Sequence, residues 1–161
     1  MDLTVEICGM SGDGTIAAGG ILNEAMSRAG FSVLAFDSYP AEIRGFGRCV
    51  TLSRFGDEER VALGDMTHVL ISLDDKQSLS RVPLLAREAV VLFDNKPPSY
   101  VDAAGSIAAH VEPDIRLFGM PFGVSYAVRW NNFFSGVWPR GFFCRFFERK
   151  KENIYIFGFY I

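Results

Sequence analysis

The chain has 161 residues, of which 49% are hydrophobic, and its formal net charge is −3. This length and composition suit one ordinary domain with a buried core, and the net charge argues against a general nucleic-acid binder. Cys8, Cys49 and Cys144 have no CxxC spacing, which argues against a disulfide framework and against an iron–sulfur or zinc site. No apolar run reaches the roughly 20 residues of a membrane span, and the first residues have the pattern of a strand rather than of a signal peptide. We therefore expect a cytoplasmic protein without a membrane partner or a metal site.

The first 36 residues predict a strand–helix–strand unit. Leu3–Cys8 is a mainly apolar run typical of a buried strand, and a loop with glycines at 9, 12 and 14 follows it. Residues 15–29 have a helical pattern that Gly30 ends, and Phe31–Phe36 predicts the second strand. A unit of this kind implies a parallel sheet.

Local features of the predicted helix can be read from its ends and its small residues. We expect Asp13 or Thr15 to cap its first turn. We also expect Gly19 and Gly20 to let the helix lie close to the sheet, because small residues permit a close approach.

The rest of the sheet is predicted from further apolar runs. Strands are expected at residues 49–55, 67–73 and 89–93, with short candidates at 105–111 and 115–119. Asp74 and Asp75 open a helix predicted over residues 76–86. The predicted fold class is α/β, with an open, mainly parallel, Rossmann-like sheet and helices on both faces.

Residues 125–161 differ from the rest and are treated as a separate part. Residues 126–161 contain eight of the 15 phenylalanines and both tryptophans. A helix is predicted over 142–151 (FFCRFFERKK), with Phe143, Phe146 and Phe147 on one side. We therefore divide the chain into a domain at residues 1–124 and an atypical, aromatic-rich, partly helical tail at residues 125–161.

The glycine loop, defined as Gly9–Gly14, is the first candidate functional feature. A strand-to-helix loop presents backbone N–H groups at the positive end of the helix, and glycines let a ligand come close. A phosphate is a reasonable ligand there, but helix–sheet junctions also need glycine for packing alone. Both interpretations stay open from the spacing.

Three sharper interpretations of the glycine loop can be compared with its spacing. The lysine of a Walker A loop is missing, and the order Gly-x-x-Gly-x-Gly reverses the dinucleotide fingerprint. Asp37 does lie at the end of the second predicted strand, where a ribose-binding acid is expected. Gly12-Asp13-Gly14 starts like a thiamine diphosphate motif, yet no asparagine follows in residues 37–47 to complete it. The glycine loop and Asp37 leave one alternative function open, a free-standing nucleotide-binding module that uses this loop.

The segment after the second predicted strand carries a family resemblance. Residues 36–55 read FDSYPAEIRGFGRCVTLSRF, in which Tyr39-Pro40 precedes Arg44-Gly45. With the glycine loop before it, this segment resembles the gamma domain of the 2-oxoacid:ferredoxin oxidoreductases, whose order is strand, GxxGxG, helix, strand and Tyr-Gly/Pro-x-x-x-Arg-Gly-Gly. Residues 65–79 and 118–123 also match that family's later sections. The chain is most similar to the form fused to the N-terminus of an alpha subunit.

The resemblance implies an accessory role within a larger enzyme. Such complexes oxidatively decarboxylate a 2-oxoacid with thiamine diphosphate and magnesium, pass electrons through iron–sulfur clusters to ferredoxin, and give the acyl group to coenzyme A. These cofactors are expected on or between alpha and beta subunits or domains, with none bound by this chain alone. The gamma domain is expected to border the coenzyme A region, to carry no catalytic residue, and to be inactive by itself.

The residues expected to contact a cofactor come from the two motifs of the resemblance. Arg44 lies between Pro40 and the following glycines, so its guanidinium is held in place. There it can bind a phosphate or a carboxylate in fork geometry. A pair with Glu42, or a contact with a neighbouring domain, is the structural alternative for Arg44. The predicted cofactor-binding residues are Gly9, Gly12, Asp13, Gly14, Tyr39, Arg44 and Gly45.

The resemblance ends near residue 124. The family continues there through a helix and a hairpin, whereas this chain continues with VSYAVRWNNFFSGVW. We expect a truncation or a frame shift near that position. A remnant that folds only in part is the third hypothesis, and the choice of 2-oxoacid lies in domains that this sequence does not contain.

Overall fold

The computed structural model describes residues 1–39, 47–95, 106–120, 148–150 and 153–155. The chain divides into two compact units, Met1–Gly123 and Val124–Ile161. The strands of the first unit are β1 (Asp2–Met10), β2 (Ser32–Ser38), β3 (Arg48–Gly56), β4 (Thr67–Ser72), β5 (Leu85–Asp94) and β6 (Arg116–Met120). Its helices are α1 (Thr15–Arg28) and α2 (Asp75–Ser78), followed by 3-10 segments at Leu79–Leu84 and Ile107–Ala109.

The six strands form one sheet in the order β2-β3-β1-β4-β5-β6. β1, β4, β5 and β6 pair in parallel, whereas β3 is antiparallel to both of its neighbours. The predicted α/β class with a mainly parallel open sheet is thus confirmed, with one correction. β3 separates β1 from β2, and it runs antiparallel to β2 because the connection of residues 39–47 is shorter than the dozen or so residues that a parallel crossover needs.

Helical segments cover both faces of the sheet, as predicted. Thr51 of β3 lies opposite Ile7 of β1 and meets Gly19 of α1. The adjacent residue Val50 lies opposite Cys8, and both belong to a cluster packed against the segment Leu79–Leu84. Since neighbouring residues of a strand point to opposite faces, α1 covers one face and the α2 region covers the other.

The core under the α2 region combines apolar side chains with one buried ion pair. Its fully buried members are Cys8, Val50, Leu70, Val91 and Ile107. The carboxylate of Glu6, 0% exposed, accepts from the Arg81 guanidinium and from Thr67 Oγ1 at 3.0 Å. A buried carboxylate needs such partners, because an unpaired charge in the core is strongly destabilising. Arg81 therefore fixes the 3-10 segment to the centre of β1.

In the second unit, the described residues form a hairpin instead of the predicted helix. β7 (Glu148–Lys150) pairs antiparallel with β8 (Asn153–Tyr155). Ile154 and Tyr155 are strand-prone residues, and their pairing with β7 outweighs the local helical pattern. Phe143, Phe146 and Phe147 lie outside the described residues. Nowhere in the described part of the chain is a helix long and apolar enough to cross a membrane.

Candidate functional site

The carboxyl ends of β1 and β4 lie side by side, and the chain leaves them in opposite directions. β1 leads through the glycine loop to α1 on one face, while β4 leads through Leu73–Asp74 to α2 on the other. Adjacent parallel strands with connections on opposite faces create a crevice, and open α/β sheets bind ligands in such crevices. We call this region the switch-point edge: the glycine loop, residues 73–75, and the ends of β2 and β3 at Tyr39 and Gly47.

The three glycines of the loop serve different physical needs. Gly12 has φ +104° and Gly14 has φ +80°, a left-handed backbone that other residues rarely adopt. Gly9 is there for space, because a Cβ at this position would lie 2.7 Å from Thr15 Oγ1 and 3.1 Å from Leu73 Cβ. A Cβ at Gly12 or Gly14 would meet nothing within 4 Å. The inner side of the loop is therefore packed, and its outer side is open.

In the described part of the chain the first turn of α1 has no side-chain cap, which corrects the expectation for Asp13 and Thr15. Gly14 is the N-cap residue, and it has no side chain that could accept a hydrogen bond. Asp13 instead accepts from the Met10 backbone N–H at 2.7 Å. Thr15 Oγ1 is buried and makes no hydrogen bond within the described part of the chain. Among the described residues, no capping side chain therefore occupies the N–H groups that begin α1 at the switch-point edge.

The acidic residues after β4 have structural partners. Asp74 caps α2 by accepting from Gln77 N at 3.0 Å, which confirms its predicted role. Asp75 accepts from Ser72 Oγ at 2.9 Å and from Ile107 N at 3.1 Å, so it ties three elements together instead of capping. The backbone bond from Leu73 N to Cys8 O, at 2.8 Å, holds this connection against β1.

The second predicted motif begins and ends at the same edge as the glycine loop. Tyr39 follows β2, whose direction matches that of β1, and its side chain is 68% exposed. Gly47 accepts from Ser11 N at 2.9 Å and so joins the other end of the motif to the glycine loop. Arg44 and Gly45 lie outside the described residues. The structure thus brings Gly9, Gly12, Asp13, Gly14 and Tyr39 to one edge of the sheet.

Two further residues near this edge were not among the predicted site residues. Arg48 opens β3 opposite Met10, and its guanidinium donates to Ser80 Oγ. Its position directly after the glycines of the second motif is the sequence signal that could have identified it. Asp37, the acid of the nucleotide hypothesis, accepts from Thr51 Oγ1 at 2.7 Å. That bond gives Asp37 a partner inside the sheet.

Cys8 lies beneath the switch-point edge as an inert thiol. It is fully buried, and burial raises its pKa from 9.0 to about 11. Since the thiolate is the reactive form, a pKa this high keeps Cys8 unreactive near neutral pH.

Comparison with known proteins gives both a family and similar folds. The family model for pyruvate ferredoxin/flavodoxin oxidoreductase matches residues 4–125. The sequence matches no curated protein. Among solved structures, a 2-oxoglutarate:ferredoxin oxidoreductase from Magnetococcus marinus, solved with 2-oxoglutarate, coenzyme A and succinyl-CoA bound, superposes with a TM-score of 0.68 at 19% identity. That match covers 80% of this chain and 21% of the other.

Two shorter chains have the same fold. The pyruvate oxidoreductase subunit of Thermotoga maritima gives a TM-score of 0.58 at 21% identity, over 74% of this chain and 62% of that one. The keto/oxoacid ferredoxin oxidoreductase gamma subunit of Geobacter sulfurreducens gives a TM-score of 0.57 at 20% identity, and the match covers 75% of this chain and 61% of that one. This chain therefore aligns with less than two thirds of each relative, and the TM-scores establish a shared fold. The family match spans most of the first unit, so the chain belongs to the pyruvate ferredoxin/flavodoxin oxidoreductase family.

Proposed function

We propose that this chain is the gamma-type part of a 2-oxoacid:ferredoxin oxidoreductase, which oxidatively decarboxylates a 2-oxoacid to an acyl-CoA. The family match over residues 4–125 is the observation that carries the proposal. The gamma subunit from Geobacter sulfurreducens, which shares the fold, supports the assignment of this chain to the gamma position. In this role the chain has no turnover of its own.

The proposal assigns the redox cofactors to partner subunits. Thiamine diphosphate, magnesium and the iron–sulfur clusters lie on or between alpha and beta subunits or domains, and ferredoxin receives the electrons there. The described residues of this chain contain no group of three or more His, Cys, Asp or Glu placed to hold a metal ion. The contribution of this chain is then to support the complex and to border coenzyme A.

The switch-point edge is the surface that we assign to coenzyme A. The open outer side of the glycine loop at Gly12 and Gly14 fits a ligand that lies against backbone. The uncapped N–H groups of α1 supply donors for a phosphate or amide oxygen. Coenzyme A supplies the thiol that accepts the acyl group. The switch-point edge would bind the polar portion of coenzyme A. The Magnetococcus marinus relative, solved with coenzyme A, supports this choice of ligand.

The charge at this edge favours an arginine in the proposed site. Asp13 places a carboxylate in the glycine loop, which opposes a phosphate at that point. A guanidinium from the second motif would offset that charge and bind a phosphate through two parallel N–H donors. We therefore propose that Arg44 and Gly45 join Gly9, Gly12, Asp13, Gly14 and Tyr39 in holding coenzyme A.

Reconstitution tests the role of the chain. The companion subunits are assayed for reduction of ferredoxin that depends on both a 2-oxoacid and coenzyme A, with this chain present and with it omitted. We expect activity only in the complete mixture. Equal activity without the chain would contradict the assignment.

Calorimetric titration with coenzyme A, NAD, FAD and ATP separates the proposal from the nucleotide-module hypothesis. Binding of NAD or FAD by the chain alone, without any requirement for the chain in the reconstituted reaction, would favour the module. Preference for coenzyme A in the assembled complex supports the oxidoreductase assignment.

A further inference from the structure

The outer edge of β2 is open in the part of the chain that the structure describes. β2 is the terminal strand of the sheet, and β3 is the one described strand that pairs with it. The pairing runs without a register shift from Ser32 to Ser38. From Ala35 onward every side chain of β2 is exposed.

The direction of the backbone groups along this edge follows from the hydrogen bonds of β1. Thr4 N donates to His68 Nδ1 at 3.1 Å, so the N–H and C=O groups of Thr4 point toward β4. Arg54, opposite Thr4, therefore points its groups toward β2, where it pairs with Leu34. Because these directions alternate along an antiparallel strand, the residues of β2 that present N–H and C=O groups to the open edge are Val33, Ala35 and Asp37.

β2 carries few of the features that usually keep an edge strand from pairing. Its sequence, SVLAFDS, contains no lysine, arginine or proline, and its register has no bulge. Its one charge, Asp37, already accepts from Thr51 Oγ1 on the neighbouring strand. Phe36 remains 57% exposed beside this edge. A regular, strand-prone, weakly charged edge of this kind is a template for another strand.

We propose that β2 pairs with β2 of a second copy of this chain, antiparallel and centred on Ala35. This register aligns all seven residues and places Ala35 opposite Ala35, Leu34 opposite Phe36, and Val33 opposite Asp37. The outward groups of Val33, Ala35 and Asp37 then exchange hydrogen bonds across the interface. The result is one continuous sheet built from two copies of the described six strands.

The choice of a second copy rests on the self-complementarity of the strand. A two-fold interface brings the same segment together in opposite directions, so its charges and side chains must match their own reverse. Here no like charges meet, because each Asp37 faces a valine. Leu34 and Phe36 meet at the non-hydrogen-bonded positions, where side chains approach most closely. This apolar pair occurs twice and covers the exposed Phe36 ring.

The test uses charge at the centre of the proposed two-fold axis. Sedimentation of the full chain is measured for wild type, for Ala35→Lys and for Ala35→Glu, each alone and then mixed. We expect wild type at twice the monomer mass, either variant alone as a monomer, and the mixture as a dimer again, because residue 35 faces itself and only opposite charges pair. Val61→Lys is the matched control, since Val61 is 96% exposed in the β3–β4 connection. It leaves the dimer unchanged.

A second measurement on wild type requires no variant to fold. Amide exchange is followed by NMR at low and high protein concentration. We expect the amides of Val33, Ala35 and Asp37 to slow at high concentration, while those of Leu34 and Phe36 do not change. A monomeric wild type overturns the proposal, as does a dimer that survives both charged variants.

Discussion

Gly19 of α1 lies directly against Thr51 of β3. A Cβ at Gly19 would lie 2.7 Å from Cβ of Thr51, closer than real Cβ atoms come to other side chains. Gly20, one position further, faces open space and is exposed. Of the two glycines expected to permit close packing, Gly19 does so and Gly20 does not. This one contact sets how near α1 lies to the sheet, and hence where the glycine loop begins the helix.

We predict opposite effects for the same substitution at these neighbouring positions. Gly19→Ala forces α1 away from a stiff, β-branched side chain and lowers the free energy of unfolding by about 1–3 kcal/mol. Gly20→Ala is neutral or raises it by about 0.5–1 kcal/mol, because alanine restricts the unfolded chain and fits a helix. Urea denaturation of both variants measures the difference. Equal destabilisation by the two would show that the contact with Thr51 is not what matters.

The buried ion pair between Arg81 and Glu6 predicts a large loss from a single change. Arg81→Leu leaves the carboxylate of Glu6, 0% exposed, without its cation, and should cost about 3–5 kcal/mol of unfolding free energy. The double variant Glu6→Leu/Arg81→Leu should recover most of that loss, because no charge is then buried alone.

Arg28→Ala is the control for this pair. Arg28 also meets a carboxylate, that of Glu24, but both side chains are mostly exposed. We expect a change of at most about 0.5 kcal/mol. Chemical denaturation measures all three variants, and a double variant no more stable than Arg81→Leu would count against the buried charge as the cause.

Asp2 predicts a defined pH dependence. The Arg54 guanidinium donates to both carboxylate oxygens, at 2.8 and 2.6 Å, and lowers the pKa of Asp2 from 3.8 to about 2. A lowered pKa in the folded state stabilises the protein above the unfolded value, and the benefit disappears as pH falls through the folded value. Asp2→Asn should therefore be less stable than wild type at neutral pH, and the difference should disappear as pH falls through about 2.

Thermal melts of wild type and Asp2→Asn across this acidic range check the prediction. The gap between the two melting temperatures should narrow from about pH 4 downward and close below about pH 2. A gap that stays constant through that interval would mean that the Asp2 charge does not produce it.

Arg44→Ala tests the proposed positive charge of the coenzyme A site. Loss of a charged hydrogen-bonding partner should raise KM for coenzyme A in the reconstituted complex about 10-fold or more, with little change in kcat. Arg44→Lys should recover only part of the effect, because an ammonium lacks the fork geometry. Arg28→Ala, on the exposed side of α1, serves as the control. An unchanged KM would assign Arg44 to a structural or interdomain role.

Much of the fold was predictable because its signals are local. The apolar run of β1, the glycines that turn the chain and the stop at Gly30, with φ +88°, all act within a few residues. The position of β3 was missed because it depends on what lies next to β1, although the short connection of residues 39–47 already excludes a parallel crossover. The helix predicted over 142–151 was wrong at Glu148–Lys150 for another reason: these residues pair with β8, which begins just beyond the predicted helix and was not predicted as a strand.

The candidate site was predictable in composition but not in arrangement. The spacing of the glycine loop identified Gly12 and Gly14, whose positive φ values only glycine adopts easily. The same spacing identified Gly9, but it did not show that Gly9 meets a different need, the space left by the nearby Thr15 and Leu73 side chains. The switch point itself depends on α1 and α2 leaving adjacent strands toward opposite faces, and that is a property of the folded sheet.

A coenzyme A footprint on the assembled complex checks the assignment of the switch-point edge with the fewest assumptions. Hydrogen exchange is measured on the complex with and without saturating coenzyme A. We predict slower exchange in residues 11–17, at the start of α1, and in residues 39–47, with no change in the β3–β4 connection at the opposite edge. Coenzyme A that saturates the enzyme and leaves both segments unprotected would contradict the assignment.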